Sequence, residues 1–124
     1  MEKKINLLES YERFTDRWSP KVVGEMNGQY VKLAKVSGTF VWHDHAAEDE
    51  LFLIQRGRLH LEFRDGRTVT LNPGELYIVP RGVEHRPYTD EGEEAWLVLI
   101  EPKATKHTGE VVADVTQTRV EWLR

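Results

Sequence analysis

Tight-turn signals punctuate this chain at short intervals: Asn27-Gly28, Arg56-Gly57, Asp65-Gly66, Asn72-Pro73-Gly74 and Pro80-Arg81-Gly82. Asparagine or aspartate followed by glycine suits a two-residue hairpin, because such a turn needs positive φ at its centre. The segments between the signals from Arg56-Gly57 to Pro80 are too short for an ordinary helix, and no helix-period stretch interrupts the strand-like runs elsewhere from Lys21 to Ile100. Leu59-His60-Leu61-Glu62-Phe63 alternates strictly, and Glu50 to Gln55, Thr68 to Leu71, Leu76 to Val79, Val83 to Tyr88 and Ala95 to Ile100 are the next clearest runs. Asn27-Gly28 joins Val22-Val23 to Tyr30-Val31-Lys32-Leu33 as a hairpin, and Thr39 to His45 reads as one further strand. Many short strands with turns throughout predict an all-β, antiparallel sandwich or barrel.

Two regions fall outside that pattern. From Ile5 to Trp18 the apolar residues Ile5, Leu8, Tyr11 and Phe14 recur at threes, and Asn6 with Glu9 resembles a capping box. A short amphipathic helix is expected there, ended at Ser19-Pro20 because the residue before proline leaves the α region. Beyond Glu101 the pattern weakens; Glu110 to Asp114 could add a short strand, and Val120 with Trp122 should dock on the body. The expected organisation is one domain over 1–124, with a helical segment at 1–20, strands at 21–100 and a tail at 101–124.

The chain has no cysteine, so disulfides, thiolate metal sites and cysteine nucleophiles are excluded. Metal chemistry must then use histidine and carboxylate. A net charge of -4 argues against a nucleic-acid partner, whose binding needs clustered cations. No apolar run reaches the ~20 residues of a membrane span or resembles a signal peptide, so no membrane partner and a cytoplasmic location are expected.

Two of the five histidines stand in Trp42-His43-Asp44-His45, followed by Glu50. On a strand, His43 and His45 point to one face. An isolated His-x-His on an acidic loop commonly binds nothing, so neighbouring strands must decide. If His43 and His45 face inward, Thr39 and Val41 should too, with Phe40 and Trp42 outward. Inward Glu50 brings Phe52 and Ile54, and inward His85 brings Val83 and Pro87. The expected site is thus four convergent ligands, His43, His45, Glu50 and His85, in a pocket lined by Val41, Phe52, Ile54, Val83 and Pro87. Arg56 shares parity with Glu50 and could reach an anion at the rim. Arg86 should point away from His85, His60 should face outward, and His107 should lie in an exposed tail.

The segments Gly38-x4-His43-x-His45-x4-Glu50-x6-Gly57 and Gly74-x5-Pro80-x-Gly82-x2-His85-x3-Thr89 resemble the two signature motifs of the cupin superfamily. They depart from it twice: Gly38 is one residue closer to His43 than usual, and Thr89 stands where asparagine is common. The resemblance implies a double-sheet jelly-roll β-barrel in which His43, His45, Glu50 and His85 hold one divalent transition metal, whether Fe, Mn, Ni, Cu or Zn. It also implies a homodimer. The compact form resembles small bacterial single-domain cupins labelled mannose-6-phosphate-isomerase-like. A metalloenzyme acting on a small molecule, by the resemblance an isomerase or dioxygenase, competes with a non-catalytic metal-dependent module binding a sugar or small acid and with a purely structural protein. No catalytic residue is assigned from sequence.

Overall fold

A computed structural model describes residues 3–103 and 120–123. One short helix, α1 (Leu7–Tyr11), precedes β1 (Lys21–Met26), β2 (Gln29–Val36), β3 (Glu50–Arg56), β4 (Leu59–Phe63), β5 (Thr68–Leu71), β6 (Leu76–Val79), β7 (His85–Tyr88), β8 (Ala95–Pro102) and β9 (Glu121–Trp122). They form a six-stranded sheet in the order β6-β3-β8-β2-β1-β9 and a three-stranded sheet in the order β5-β4-β7. Among the described residues no ladder joins the two sheets into a closed ring, so the architecture is a two-sheet sandwich rather than the closed barrel expected. The pairing is antiparallel except for β1 with β9, which is parallel.

The hairpin signal at Asn27-Gly28 forms as expected, with φ of 51° and 77° at its two residues. Gly57 has a stricter reason to be glycine. At φ +77°, an added Cβ would lie 2.2 Å from the Glu94 carbonyl oxygen.

Burial of Phe52, Ile54, Leu59, Leu61, Phe63, Leu97 and Leu99 between the sheets makes the main core. The alternation read along β3 and β4 places these side chains inward, as their burial shows. Strand β8 is buried on both faces from Ala95 to Leu99, because a second cluster of Tyr11, Phe14, Leu33, Trp96 and Val98 covers the outside of the large sheet.

That second cluster explains the helix. Asn6 Oδ1 accepts the Glu9 backbone N–H at 3.0 Å, which is the expected N-terminal cap. The helix ends at Tyr11 instead of continuing towards Trp18. A five-residue helix has little stability of its own, so burial of Tyr11 and Phe14 decides where it stops. The Tyr11 hydroxyl donates to the Leu97 carbonyl, and the chain then turns through Phe14 towards β1.

Trp122 docks edge-on against Tyr30 at 5.6 Å between ring centroids. Glu110 to Asp114 and His107 lie outside the described residues. No helix among those described is long and apolar enough to cross a membrane.

Candidate metal centre

Thr39 to His45 is not a regular strand. It touches β7 through isolated bridges, Thr39 to Tyr88 and His43 to His85. Between these bridges the histidine segment spans one residue more than its partner, which is a bulge, and a bulge reverses side-chain parity. Phe40 therefore shares the inner face with His43 and is buried, whereas Thr39 is exposed. The expectation that Thr39 and Val41 face inward with Phe40 outward fails for this reason.

Backbone bonds hold the bulged segment in place. His43 and His85 exchange N–H···O bonds at 3.0 and 2.9 Å, and the Gly82 N–H reaches the His45 carbonyl at 2.8 Å. Thr89 closes the other end: its hydroxyl accepts the Gly38 N–H at 2.8 Å and donates to the Glu93 carbonyl at 3.1 Å. The threonine thus has a definite job where the motif usually carries asparagine.

His43, His45, Glu50 and His85 come together as expected, all buried, with one potential ligand atom from each lying within 4.8 Å of the others. His43 Nδ1 lies 2.9 Å from the Val41 carbonyl, and His85 Nδ1 lies 2.9 Å from the Val83 carbonyl. A carbonyl can only accept, so each Nδ1 carries the proton and each Nε2 presents a lone pair to the centre. His45 Nε2 and His85 Nε2 stand 3.2 and 3.5 Å from Glu50 Oε1. None of these three atoms has a directed hydrogen bond among the described residues. Ligand atoms at about 2.1 Å from one ion and at right angles would stand about 3.0 Å apart. The cluster therefore fits a cation.

Its electrostatics point the same way. Burial and the neighbouring His85 depress His43 to about 4, so its imidazole is neutral. Burial alone would lower His45 too, but the Glu50 carboxylate 3.2 Å away outweighs it and holds His45 above its ordinary value. Burial alone would raise Glu50, and contacts from His45 and His85 instead hold it well below the usual carboxylate range.

Two further ionisable groups lie beside the cluster. Glu101 is 1 % exposed, and the Lys32 ammonium is 3.0 Å from its Oε1. Burial and the facing Glu50 carboxylate push Glu101 up to about 8, so it keeps a proton that it can share with Glu50. Among the described residues neither Glu101 oxygen has a directed hydrogen bond, and a proton shared with Glu50 gives one of them a partner. The signal was present in sequence: Lys32 shares parity with Ala34 and Val36, and Glu101 with Leu97 and Leu99. A charged residue at each of those inward positions marks a polar end to the core.

Beside the ligands lies an apolar cavity with about 30 Å³ of room for solvent, lined by Trp18, Pro20, Ala34, Val36, Phe40, His43, Glu50, Phe52, Pro87, Leu97 and Leu99. Of the expected wall residues, Phe52 and Pro87 line it. Ile54 is sealed in the main core, and Val41 and Val83 contribute carbonyls to the histidines instead. Arg56 does not approach the cavity. A bulge between Ile54 and Arg56 turns its guanidinium onto the outer Trp96 ring, at 4.1 Å. Arg86 pairs with Glu62 on the outer face. His60 also faces outward, bonded to Thr70 and Asp90 and stacked on Tyr88.

Residues 29–101 match the Cupin domain family, which is more than half of the chain, so the protein belongs to that family. It is 45% identical, with a TM-score of 0.77, to a cupin-2 domain containing protein from Shewanella frigidimarina, covering 80% of this chain and 94% of that one. It is 32% identical to protein NMB1881 from Neisseria meningitidis, with a TM-score of 0.72 and coverage of 82% and 100%. The uncharacterised protein YdbB of Bacillus subtilis is 33% identical over 86 residues, 69% of this chain and 76% of that protein.

Proposed function

We propose that this cupin-domain protein holds one divalent transition metal through His43, His45, Glu50 and His85 and acts on a small molecule that reaches the ion from the adjoining cavity. The observation that carries this reading is the convergence of His45 Nε2, Glu50 Oε1 and His85 Nε2, buried and without directed hydrogen bonds among the described residues. Buried polar atoms left unpaired are costly, and a cation satisfies all three together. Three imidazoles and one carboxylate suit Fe(II), Mn(II), Ni(II), Cu(II) or Zn(II). When bound, the ion supplies Lewis-acid polarisation of a coordinated substrate group. Around it, the Val41 and Val83 carbonyls orient the rings, Glu50 offsets charge, and Phe40, Phe52 and Pro87 exclude water.

Among the described residues no cationic side chain lines the cavity. This supports a substrate without a phosphate group and weighs against a mannose-6-phosphate-isomerase activity. A non-catalytic binding module is the second reading. It is supported because His43 and Glu50, the only titratable residues among the described ones lining the cavity, are both assigned to the ion.

Elemental analysis of untagged protein tests the metal: about one equivalent of a transition metal is expected. Glu50→Ala and His85→Ala should both lose it while keeping the β-sheet circular dichroism of the parent. Unchanged metal content in both variants would show that the ligand assignment is wrong. Turnover then separates the two readings, since a binding module leaves its ligand unaltered. A homodimer is part of the same proposal, supported by Leu76 and Ile78 standing exposed on β6 at the edge of the large sheet.

A further inference from the structure

We infer that Trp18, stacked on Phe40, is the door through which ligands enter the cavity beside the four-residue centre, and that it admits small, flat, uncharged molecules. Of the eleven described residues lining the cavity, ten are buried and Trp18 is partly exposed. Among the described residues its indole is therefore the side chain that stands between the cavity and solvent at the partly exposed end. With Trp18 in place, the room inside holds about one or two waters. An organic ligand needs more room than this, and displacement of the indole would supply it.

The local backbone suits that movement. Trp18 lies in the irregular connection between α1 and β1 and has a φ of 58°, a left-handed conformation that a bulky residue rarely adopts. Its backbone N–H donates to the Lys35 carbonyl at 2.9 Å and its indole N–H to the Ser37 carbonyl at 2.9 Å. These two bonds and the stack on Phe40 hold the door shut. The Trp18 and Phe40 rings are 4.4 Å apart and within 9° of parallel, and Phe40 meets the His43 ring edge-on at 5.5 Å. A displaced indole leaves a flat slot against Phe40 that leads to His43. The remaining walls among the described residues are aliphatic or aromatic apart from His43 and Glu50, which sets the preference for uncharged ligands.

The test has one arm without metal and one with it, because the inference rests on the metal reading only for what lies behind the door. In metal-free protein, His43 is labelled with diethyl pyrocarbonate and followed by peptide mass spectrometry. Trp18→Ala should label His43 about tenfold faster than the parent, because reagent access follows the population of open states. His60, on the outer face, and the circular dichroism should be unchanged. Trp18→Phe, which keeps a smaller ring on Phe40, should give a smaller increase in the same direction, and it stands as the deciding variant if the alanine protein does not fold. Parent-like labelling of His43 in a folded variant would overturn the door. In the Co(II)-loaded arm, followed by visible absorption, Trp18→Ala should bind 4-phenylimidazole about tenfold more tightly, with imidazole changing about twofold or less. Equal gains for both probes would also overturn it. If Co(II) does not bind the parent at all, the metal reading fails, and the labelling arm still decides the door.

Discussion

Glu101 and Lys32 add two ionisable groups beside the four ligand residues, buried on the same side of the large sheet. Glu101 is held above the ordinary carboxylate value. The folded state therefore binds more protons than the unfolded chain between the ordinary value and about 8, and stability falls as pH rises through that window. His43 acts in the opposite sense. Its depressed value means that the stability it supports is present above the ordinary imidazole range and is lost as pH falls towards about 4. Glu101→Gln removes the first effect and keeps the shape. Urea unfolding of metal-free protein from about pH 5 to about pH 8 should show the variant gaining on the parent as pH rises, by at most about 1.4 kcal/mol per unit. A constant difference would mean that Glu101 is already ionised. Removing Lys32 is a different matter, because Lys32→Met takes away the ammonium 3.0 Å from Glu101 Oε1 and leaves that buried oxygen without it, which should cost about 1–3 kcal/mol by denaturant titration near neutral pH.

Among the elements, the turn at Gly57 makes the tightest approach. The Cβ of alanine there would meet the Glu94 carbonyl oxygen, and alanine disfavours the required positive φ. Gly57→Ala should lower stability by about 1–3 kcal/mol for the conformation alone, with the steric contact adding to it, measured by thermal unfolding. The strands and their inward faces were legible in sequence because turn residues and alternation are local signals, as at Asp65-Gly66 and along Leu59 to Phe63. Glu50 and His85 could be assigned for the same reason, since their strands keep regular parity on approach to the centre. The histidine segment was legible only in part. One extra residue between Thr39 and His43 reverses parity, so His43 and His45 were placed correctly while Phe40, Thr39 and Val41 were not. The bulge beyond Ile54 hid the fate of Arg56 in the same way. Trp18 was out of reach of any such pattern. Its place over the cavity comes from a chain reversal that Trp-Ser-Pro marks only as the end of a helix.

For the whole molecule, the outer faces differ. The small sheet turns a network of ion pairs outward: Arg86 with Glu62, Arg64 with Glu84, and Arg58 with Asp90, with Arg64 lying 3.9 Å over the Trp42 ring. The large sheet instead leaves Leu76 and Ile78 exposed at its β6 edge. Light scattering should give a dimer mass, and Ile78→Lys should reduce it to that of a monomer if β6 forms the contact. The opposite edge of that sheet bears on how the chain reaches its native state. The parallel pair β1–β9 brings Lys21 to Glu121, 100 residues along the chain, through a ladder of two residue pairs. Closing so long a loop costs entropy before any contact repays it, whereas the β1–β2 and β4–β5 hairpins close over a few residues. β9 therefore joins a sheet that already exists, and its amides should be among the first to exchange with solvent deuterium while those of β8 are among the last.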